Sequence, residues 1–246
     1  MAEYTLYIDK DTGSAGTTWA QVQVAETPAD TILGAITLAR ANTSAADVIN
    51  LSILAAATDY NDTLSFNNIN DDGRTWNLIG TNTPNLIAPV TYNVYIDCTA
   101  VAFSFTGIAF LNTIVNNAAS VISIIDPTPN ITLTDCNIDS STSTGNYAFP
   151  ITGGVDSTQE VVLSGCRITT GDDVFQLSND LGKLRLLDCT ITSGTPGGFS
   201  LWPNTGWSRW ERSRCVRVTT VLLSRLRWIY SSGRRRLSRM CGRANG

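Results

Sequence analysis

The sequence predicts an all-β protein in which short parallel strands stack into a solenoid. Two observations support this fold class. Only 15% of the 246 residues are charged, and Thr, Ser and Asn supply most of the polar surface, which favours sheet over helix. A short motif also recurs along the chain, reading apolar, x, apolar, x, Asp or Gly, Cys, x, Ile. Its clearest copies are residues 131–138, 161–168 and 184–191, and weaker copies are residues 76–83 and 103–110, with an earlier partial copy at 51–53.

The spacing of the motif indicates how its copies pack. The fifth motif position is occupied by Gly80, Gly107, Asp135, Gly165 and Asp188, at steps of 27, 28, 30 and 23 residues. A second apolar cluster follows each of these, at Val94, Val121, Phe149, Phe175 and Phe199. No helical pattern intervenes, so equivalent strands pair in parallel at a rise of roughly 4.8 Å per coil. We expect about six coils.

Equivalent positions should form columns inside the solenoid. The first apolar column is Trp76, Phe103, Ile131, Val161 and Leu184, and the second is Leu78, Phe105, Leu133, Leu163 and Leu186. Asn77, Ser104 and Thr132 should face outward between them. The column after the turn residue is Thr81, Ile108, Cys136, Cys166 and Cys189, where Cys takes a place that Ile also fills. We therefore expect buried, reduced thiols rather than disulfides or a zinc site.

The N-terminal residues predict a strand, a turn and a capping helix for the open solenoid end. Thr27 is the expected N-cap, Pro28 the first helical residue and Asp30 the capping-box acid, with the helix at residues 28–41. Asp9 and Asp11 resemble two ligands of a calcium loop, but the other ligands are missing, so a turn is expected. The predicted organisation is residues 1–46 as strand and capping helix, 47–203 as solenoid and 204–246 as an Arg-rich tail.

On these repeats, residues 4–202 resemble the right-handed parallel β-helix proteins with the pectate-lyase-like fold. The resemblance implies the right-handed sense of the solenoid. Within that group the chain is similar to bacteriophage tail-fibre and tailspike parts, which need little charge and no signal peptide. The residues MAEYTLYIDKDTG lack the apolar core of a secretory signal, so we expect a virion location, or a cytoplasmic one before release. No run of residues is apolar enough to predict a membrane span.

Candidate catalytic residues are carboxylates or arginines, because the chain has no His. Gly171, Asp172 and Asp173 resemble the Gly-Asp-Asp of polygalacturonases, which implies a catalytic role for the two carboxylates. The rest of that constellation is missing: residues 146–149 and 197–199 do not match the family, and no Arg-x-Lys follows. The two aspartates are therefore expected to be turn residues, with catalysis as the alternative.

Two further pairs are weaker candidates. Asp135 and Asp188 lie two coils apart, roughly 9.6 Å, near the upper end of the carboxylate spacing of inverting glycosidases. Their column otherwise holds Gly, so a backbone role is expected. Arg167 and Arg185 could project outward on neighbouring coils, as in a lyase-like site with an Arg base, but solvated side chains are the expected interpretation.

The tail differs sharply in charge from the rest of the chain. Residues 1–203 contain six basic and twenty acidic residues, whereas the tail has one acid, Glu211, and eleven arginines. The arginines are Arg209, Arg212, Arg214, Arg217, Arg225, Arg227, Arg234, Arg235, Arg236, Arg239 and Arg243. With no Lys, the tail is typical of a frameshifted or truncated end, and we expect it to be poorly ordered or non-native. The alternative is a nucleic-acid-binding arm in which Trp207, Trp210 and Trp228 stack on bases.

The sequence therefore predicts a non-catalytic structural or carbohydrate-binding β-helix. Its expected partner is a polysaccharide or cell-surface glycan, and a homotrimer would suit a fibre. No cofactor and no metal are expected. The first alternative is a polysaccharide lyase or glycoside hydrolase with an incomplete site at Asp172 and Asp173. The second is nucleic-acid binding through the Arg-rich tail.

Overall fold

A computed structural model describes eleven segments of the chain: residues 1–87, 92–98, 102–112, 120–124, 130–142, 148–151, 160–171, 174–177, 183–193, 200–201 and 217–218. Within them lie nineteen strands in three sheets and three short helices, numbered along the chain. The helices are α1 (Trp19–Val22), α2 (Ile32–Asn42) and α3 (Asn68–Asp71).

Every strand pairing is parallel, and each sheet takes one strand from successive repeats. Sheet A contains β1 (Glu3–Ile8), β2 (Val48–Leu54), β4 (Thr75–Thr81), β7 (Ala102–Thr106), β10 (Asn130–Thr134), β13 (Glu160–Ser164) and β16 (Lys183–Leu187). Sheet B contains β5 (Asn85–Ile87), β8 (Ala109–Leu111), β11 (Asn137–Ser140), β14 (Arg167–Thr170), β17 (Thr190–Ser193) and β19 (Arg217–Val218). Sheet C contains β3 (Leu64–Asn67), β6 (Tyr92–Asp97), β9 (Ser120–Ile124), β12 (Phe149–Ile151), β15 (Phe175–Leu177) and β18 (Ser200–Leu201). The chain is thus an all-β parallel solenoid, as the repeat predicts.

The predicted apolar columns are confirmed in sheet A. Trp76 pairs with Phe103, Phe103 with Ile131, Ile131 with Val161 and Val161 with Leu184. The second column pairs in the same order from Leu78 to Leu186. The first four members of each column are buried. Two aromatic members, Trp76 and Phe103, also contact Phe66. The distance between ring centroids is 5.3 Å from Phe66 to Trp76 and 4.8 Å from Phe66 to Phe103.

The turn after sheet A is left-handed at four of the predicted positions. The φ angles are +65° at Gly107, +52° at Asp135, +64° at Gly165 and +51° at Asp188. Asp tolerates this region because its short side chain can bond to nearby backbone. Gly80, the fifth member of the predicted column, differs: it lies within β4, and the left-handed residues there are Asn82 and Thr83. A Cβ at Gly80 would approach the Gly107 carbonyl oxygen to 2.4 Å, so close packing rather than φ requires glycine.

The apolar clusters that follow the turn residues of successive repeats are not all in register. Val94 pairs with Ile122 and not with Val121. Both Val121 and Ile122 are buried, because all five side chains of β9 face protein. The alternation that normally separates inward from outward positions is therefore absent in this strand.

The N-terminal helix begins later than predicted. Ala29 bridges to Ile8 in parallel, and its N–H donates to the Tyr7 carbonyl at 3.0 Å, so this residue is extended. Pro28 therefore does not open the helix, and the Thr27 hydroxyl donates to the Gln21 carbonyl instead of capping. The N-cap of α2 is Thr31, whose hydroxyl accepts from Gly34 N at 3.1 Å.

Tertiary contacts complete the N-terminal end of α2. The Asp62 carboxylate accepts from Ile32 N at 3.0 Å and Leu33 N at 3.4 Å, although it lies about thirty residues further along the chain. The buried face of the helix is Ile32, Ala35, Ile36 and Ala39, which join the solenoid core. The α2 helix thus packs on the same core as β1 and β2.

A buried ion pair joins α2 to the segment after β3. Arg40 donates to both carboxylate oxygens of Asp71, from Nε at 3.0 Å and Nη2 at 2.7 Å. The Asp71 carboxylate also accepts from Asn67 N at 2.8 Å and is wholly buried. Two of these three bonds come from the Arg40 guanidinium, so the carboxylate charge is compensated inside the protein.

Two buried amides connect sheets B and C. The Asn93 side-chain amide donates to the carbonyls of Leu86 at 2.6 Å and Leu111 at 3.3 Å. The Asn112 side-chain amide donates to the Ser120 carbonyl at 3.2 Å. Each bond runs from one sheet to the next across the corner between them. The repeat motif did not predict these residues, because they lie after its last recurring position, which is the Ile.

Beyond residue 201 the structure describes only β19, which pairs with β17 so that Val218 lies beside Ile191. The other residues of the Arg-rich tail lie outside the described segments, and its poor order stays a prediction. The count of about six coils and the role of α2 as a cap likewise stay predictions.

Replacing Asp71 by Asn should destabilise the protein strongly. The change leaves the Arg40 guanidinium without its counter-charge in a mostly buried place, which costs about 3 kcal/mol. Urea unfolding at neutral pH measures this loss. The control is Glu160→Gln, which breaks the pair between Arg185 and Glu160 at 3.3 Å, whose side chains are 35% and 27% exposed. This change should cost less than about 1 kcal/mol. Equal losses in the two variants would contradict the conclusion that the buried pair between Arg40 and Asp71 stabilises the fold.

Asp47 should make stability depend on acid pH. Its carboxylate accepts from Ala2 N and Ser44 N, both at 2.8 Å, and these bonds, that from Ala2 first, hold its pKa below the ordinary value. A lowered folded-state pKa contributes stability above the unfolded-state pKa, and this is lost as pH falls. Thermal unfolding of the wild type and Asp47→Asn at pH 7 and pH 3 measures the effect. The two should differ at pH 7, and the difference should become smaller at pH 3. A difference that stays constant would count against this interpretation.

Candidate functional site

The outer face of sheet B contains an open depression of about 450 Å³, here called the sheet B groove. It is lined by residues of β11 and β14, of the turns before these strands and of the loop between β4 and β5. They are Thr83, Asp135, Cys136, Asn137, Asp139, Gly165, Arg167 and Thr169. The groove is therefore lined by polar and charged groups.

Strand alternation places these side chains. Asn137 and Asp139 on β11 face outward because Ile138 between them is buried. Arg167 and Thr169 do the same on β14. The parallel register sets Asn137 beside Arg167 and Asp139 beside Thr169, one coil apart at roughly 4.8 Å. Two rows of hydrogen-bonding groups thus run along the solenoid axis.

The left-handed turns form one rim of the groove. Asp135 and Gly165 occupy equivalent turn positions, and Asp135 is exposed. A Cβ at Gly165 would lie 2.1 Å from Asp135 Oδ1, so glycine at this position leaves room for the carboxylate. Thr83 reaches the groove from the longer loop between β4 and β5.

The groove contains both signs of charge. One oxygen of Asp139 accepts from Ser141 N at 2.9 Å, and among the described residues the other oxygen has no hydrogen bond. Arg167 is exposed, and within the described segments it forms no ion pair. With Asn137 and Thr169, the groove offers donors and acceptors in alternation.

Most of the predicted catalytic constellation cannot be placed. Asp172 and Asp173 lie outside the described residues, as do residues 146–147 and 197–199. Asp135 and Asp188 are both left-handed turn residues with Gly165 on the coil between them, which supports the predicted backbone role.

The two arginines do not form a site together. Arg167 belongs to sheet B, whereas Arg185 belongs to sheet A, and so they face different sides of the solenoid. Arg185 is also engaged, since it pairs with Glu160, and the prediction of a simply solvated side chain is wrong for it. For Arg167, the predicted neighbours Asn137 and Thr190 are confirmed.

The predicted burial of the cysteines is confirmed where they are described. Cys98, Cys136, Cys166 and Cys189 are buried and free. Burial raises the pKa of the Cys98 thiol to about 12. Across the segments that the structure covers, no group of three or more His, Cys, Asp or Glu side chains could hold a metal ion. The Asp9 carboxylate accepts from Asp11 N at 3.0 Å and from the Thr12 hydroxyl at 2.6 Å, as expected of a turn.

The sequence motif placed the groove residues in adjacent columns but did not predict a groove. Its shape depends on the two rows of side chains that the register brings together and on the longer loop that brings in Thr83. The useful signal was the polar residue between Cys and Ile in each motif copy, which is Asn137, Arg167 or Thr190.

Comparisons add no family to these observations. The chain matches no protein-family model, no curated protein and no solved structure. Separately, none of the helices in the described segments is long and apolar enough to cross a membrane.

Substitutions at Asp135 distinguish a backbone role from a carboxylate role in stability. Asp135→Gly should keep or slightly raise stability, since Gly adopts a φ near +52° without strain. Asp135→Val should cost about 1–2 kcal/mol, because a β-branched side chain is disfavoured there. Thermal and urea unfolding of both variants measure the difference. A large loss in Asp135→Gly would mean that the carboxylate itself stabilises the turn.

Proposed function

We propose that the chain is a non-catalytic structural or carbohydrate-binding β-helix, and that the sheet B groove is where it binds a glycan. The observation that carries the proposal is the pair of polar rows in register, Asn137 beside Arg167 and Asp139 beside Thr169. The proposal includes a right-handed solenoid of about six coils, with α2 covering its N-terminal end. A fibre or tailspike part of this type acts as a homotrimer.

The chemistry of the groove suits sugar hydroxyls. A hydroxyl both donates and accepts, and the groove offers the Asn137 amide and the Thr169 hydroxyl, which do both, the Asp139 carboxylate as acceptor and the Arg167 guanidinium as donor. Hydrogen bonds to charged groups are stronger than neutral ones, so Asp139 and Arg167 should contribute most of the affinity.

The shape of the groove favours a chain over a small molecule. The depression is open to solvent, and its rows of side chains follow the solenoid axis rather than converging on one point. An oligosaccharide that extends along the axis meets a new pair of side chains on each coil. Affinity should therefore rise with the number of sugar residues until the rows are filled.

The experiment compares groove variants with a matched change on another face. Binding of a panel of neutral and acidic oligosaccharides is measured by calorimetry for the wild type, Arg167→Ala and Asp139→Ala. The control is Asn77→Ala. This change removes an outward amide of sheet A that does not line the groove and that donates to Asn50 Oδ1 at 2.8 Å. Each groove variant should lose about tenfold or more in affinity, since a charged hydrogen bond contributes about 1.5–3 kcal/mol, and the control should bind as the wild type does.

The same panel separates the proposal from its alternatives. Equal losses in the groove and control variants, or no binding at all, would overturn the groove as a glycan site. Release of reducing ends or unsaturated products that disappears in Asp172→Asn and Asp173→Asn would instead establish an enzyme. Salt-dependent binding of nucleic acid that disappears without residues 204–246 would establish the tail as the functional part.

A further inference from the structure

Three cysteines form a ladder beneath the sheet B groove. Cys136, Cys166 and Cys189 directly precede β11, β14 and β17, and each is at most 2% exposed. The coils are bonded at this point, since Arg167 N donates to the Cys136 carbonyl and Thr190 N to the Cys166 carbonyl, both at 2.9 Å. The three residues therefore occupy consecutive coils, and they are called the thiol ladder below.

The three thiols have the same orientation. Each Sγ donates to the carbonyl two residues earlier, at 3.4 Å, and to a carbonyl on the preceding coil, at 3.4 or 3.5 Å. The acceptors are Thr134 and Phe105 for Cys136, Ser164 and Leu133 for Cys166, and Leu187 and Leu163 for Cys189. These acceptors are themselves in register, so the sulfurs repeat at the spacing of the coils, roughly 4.8 Å.

This spacing suits a bridging atom better than a direct sulfur–sulfur bond. A disulfide needs Cβ atoms about 3.5–4.5 Å apart, so it would require neighbouring coils to move together. Two metal–sulfur bonds of roughly 2.3 Å, the length known for zinc thiolates, span about 4.6 Å when placed in line. Soft thiolate ligands favour Cu(I), zinc and iron–sulfur clusters. Structural zinc takes four ligands, so a pair of thiols suits a soft cation that takes two.

Cys136 is the thiol-ladder residue that lines the sheet B groove, and it is 2% exposed. The groove therefore gives an ion its entry path at Cys136. This position favours the pair of Cys136 and Cys166 over the pair of Cys166 and Cys189.

We propose that the thiol ladder binds one soft, two-coordinate cation of the Cu(I) or Ag(I) type between Cys136 and Cys166. Two S–H bonds break and two metal–sulfur bonds form, two protons pass to solvent, and no atom is oxidised or reduced. A linear site of this kind uses two ligands, and so it differs from the clusters of three or more groups considered above. It is independent of the glycan proposal, since the ion lies beneath the groove and not in it.

The test titrates the reduced full chain with Cu(I) under argon, with bicinchoninate as the competing chelator. Cys215 and Cys241 are replaced by Ser in every protein, so that thiols of the tail do not contribute. Native mass spectrometry should find one copper ion per chain, and a pH indicator should record two protons released per ion. Absence of binding, or binding without proton release, would overturn the proposal.

Three single variants locate the site. Cys166→Val should abolish stoichiometric binding, and its fold should persist because Ile108 fills the equivalent place two coils earlier. Cys189→Val and Cys98→Ala should each keep one ion per chain. Retention of copper by Cys166→Val would overturn the proposal, as would its loss in Cys98→Ala. Circular dichroism verifies folding, and Cys136→Val replaces Cys166→Val as the decisive variant if the latter does not fold.

Discussion

The register of the parallel strands is the constraint on which the remaining features depend. A slip of one residue between neighbouring coils would turn every inward side chain of that strand to solvent. In sheet A this register stacks Trp76, Phe103 and Ile131 on one line and Leu78, Phe105 and Leu133 on the next. Because exposing these apolar side chains is costly, the register is fixed. Each strand and turn of a coil therefore lies beside its equivalent in the coil before.

The left-handed turn after sheet A converts this register into two structural features. Asp135 and Gly165 reverse the local backbone at the same place in consecutive coils. The residue that follows each turn is driven inward, which builds the thiol ladder, and the next points outward, which places Asn137 and Arg167 in the groove. A single local conformation therefore produces a row of thiols inside the protein and rows of hydrogen-bonding groups outside it.

Polar side chains form hydrogen bonds in the parts of the solenoid where strands do not pair with one another. Asn93 and Asn112 bond carbonyls across the corner between sheets B and C, where neighbouring sheets cannot pair directly. At the N-terminal end, Asp62 caps α2, and Asp71 pairs with Arg40. These side chains give backbone groups and the Arg40 guanidinium hydrogen-bond partners that come from other parts of the chain.

The sequence alone determined the fold class, the two apolar columns of sheet A and the thiol column, because each depends on a pattern that recurs with the coil. It also indicated the backbone role of Asp135 and Asp188, since Gly substitutes for them in the same column. Tertiary packing determined what does not repeat: the start of α2 at Ile32, where Ala29 is held extended by Tyr7, and the pairing of Val94 with Ile122 in a strand buried on both faces. The groove belongs to this second group, because it exists only once separate coils bring Thr83, Asn137 and Arg167 to one surface.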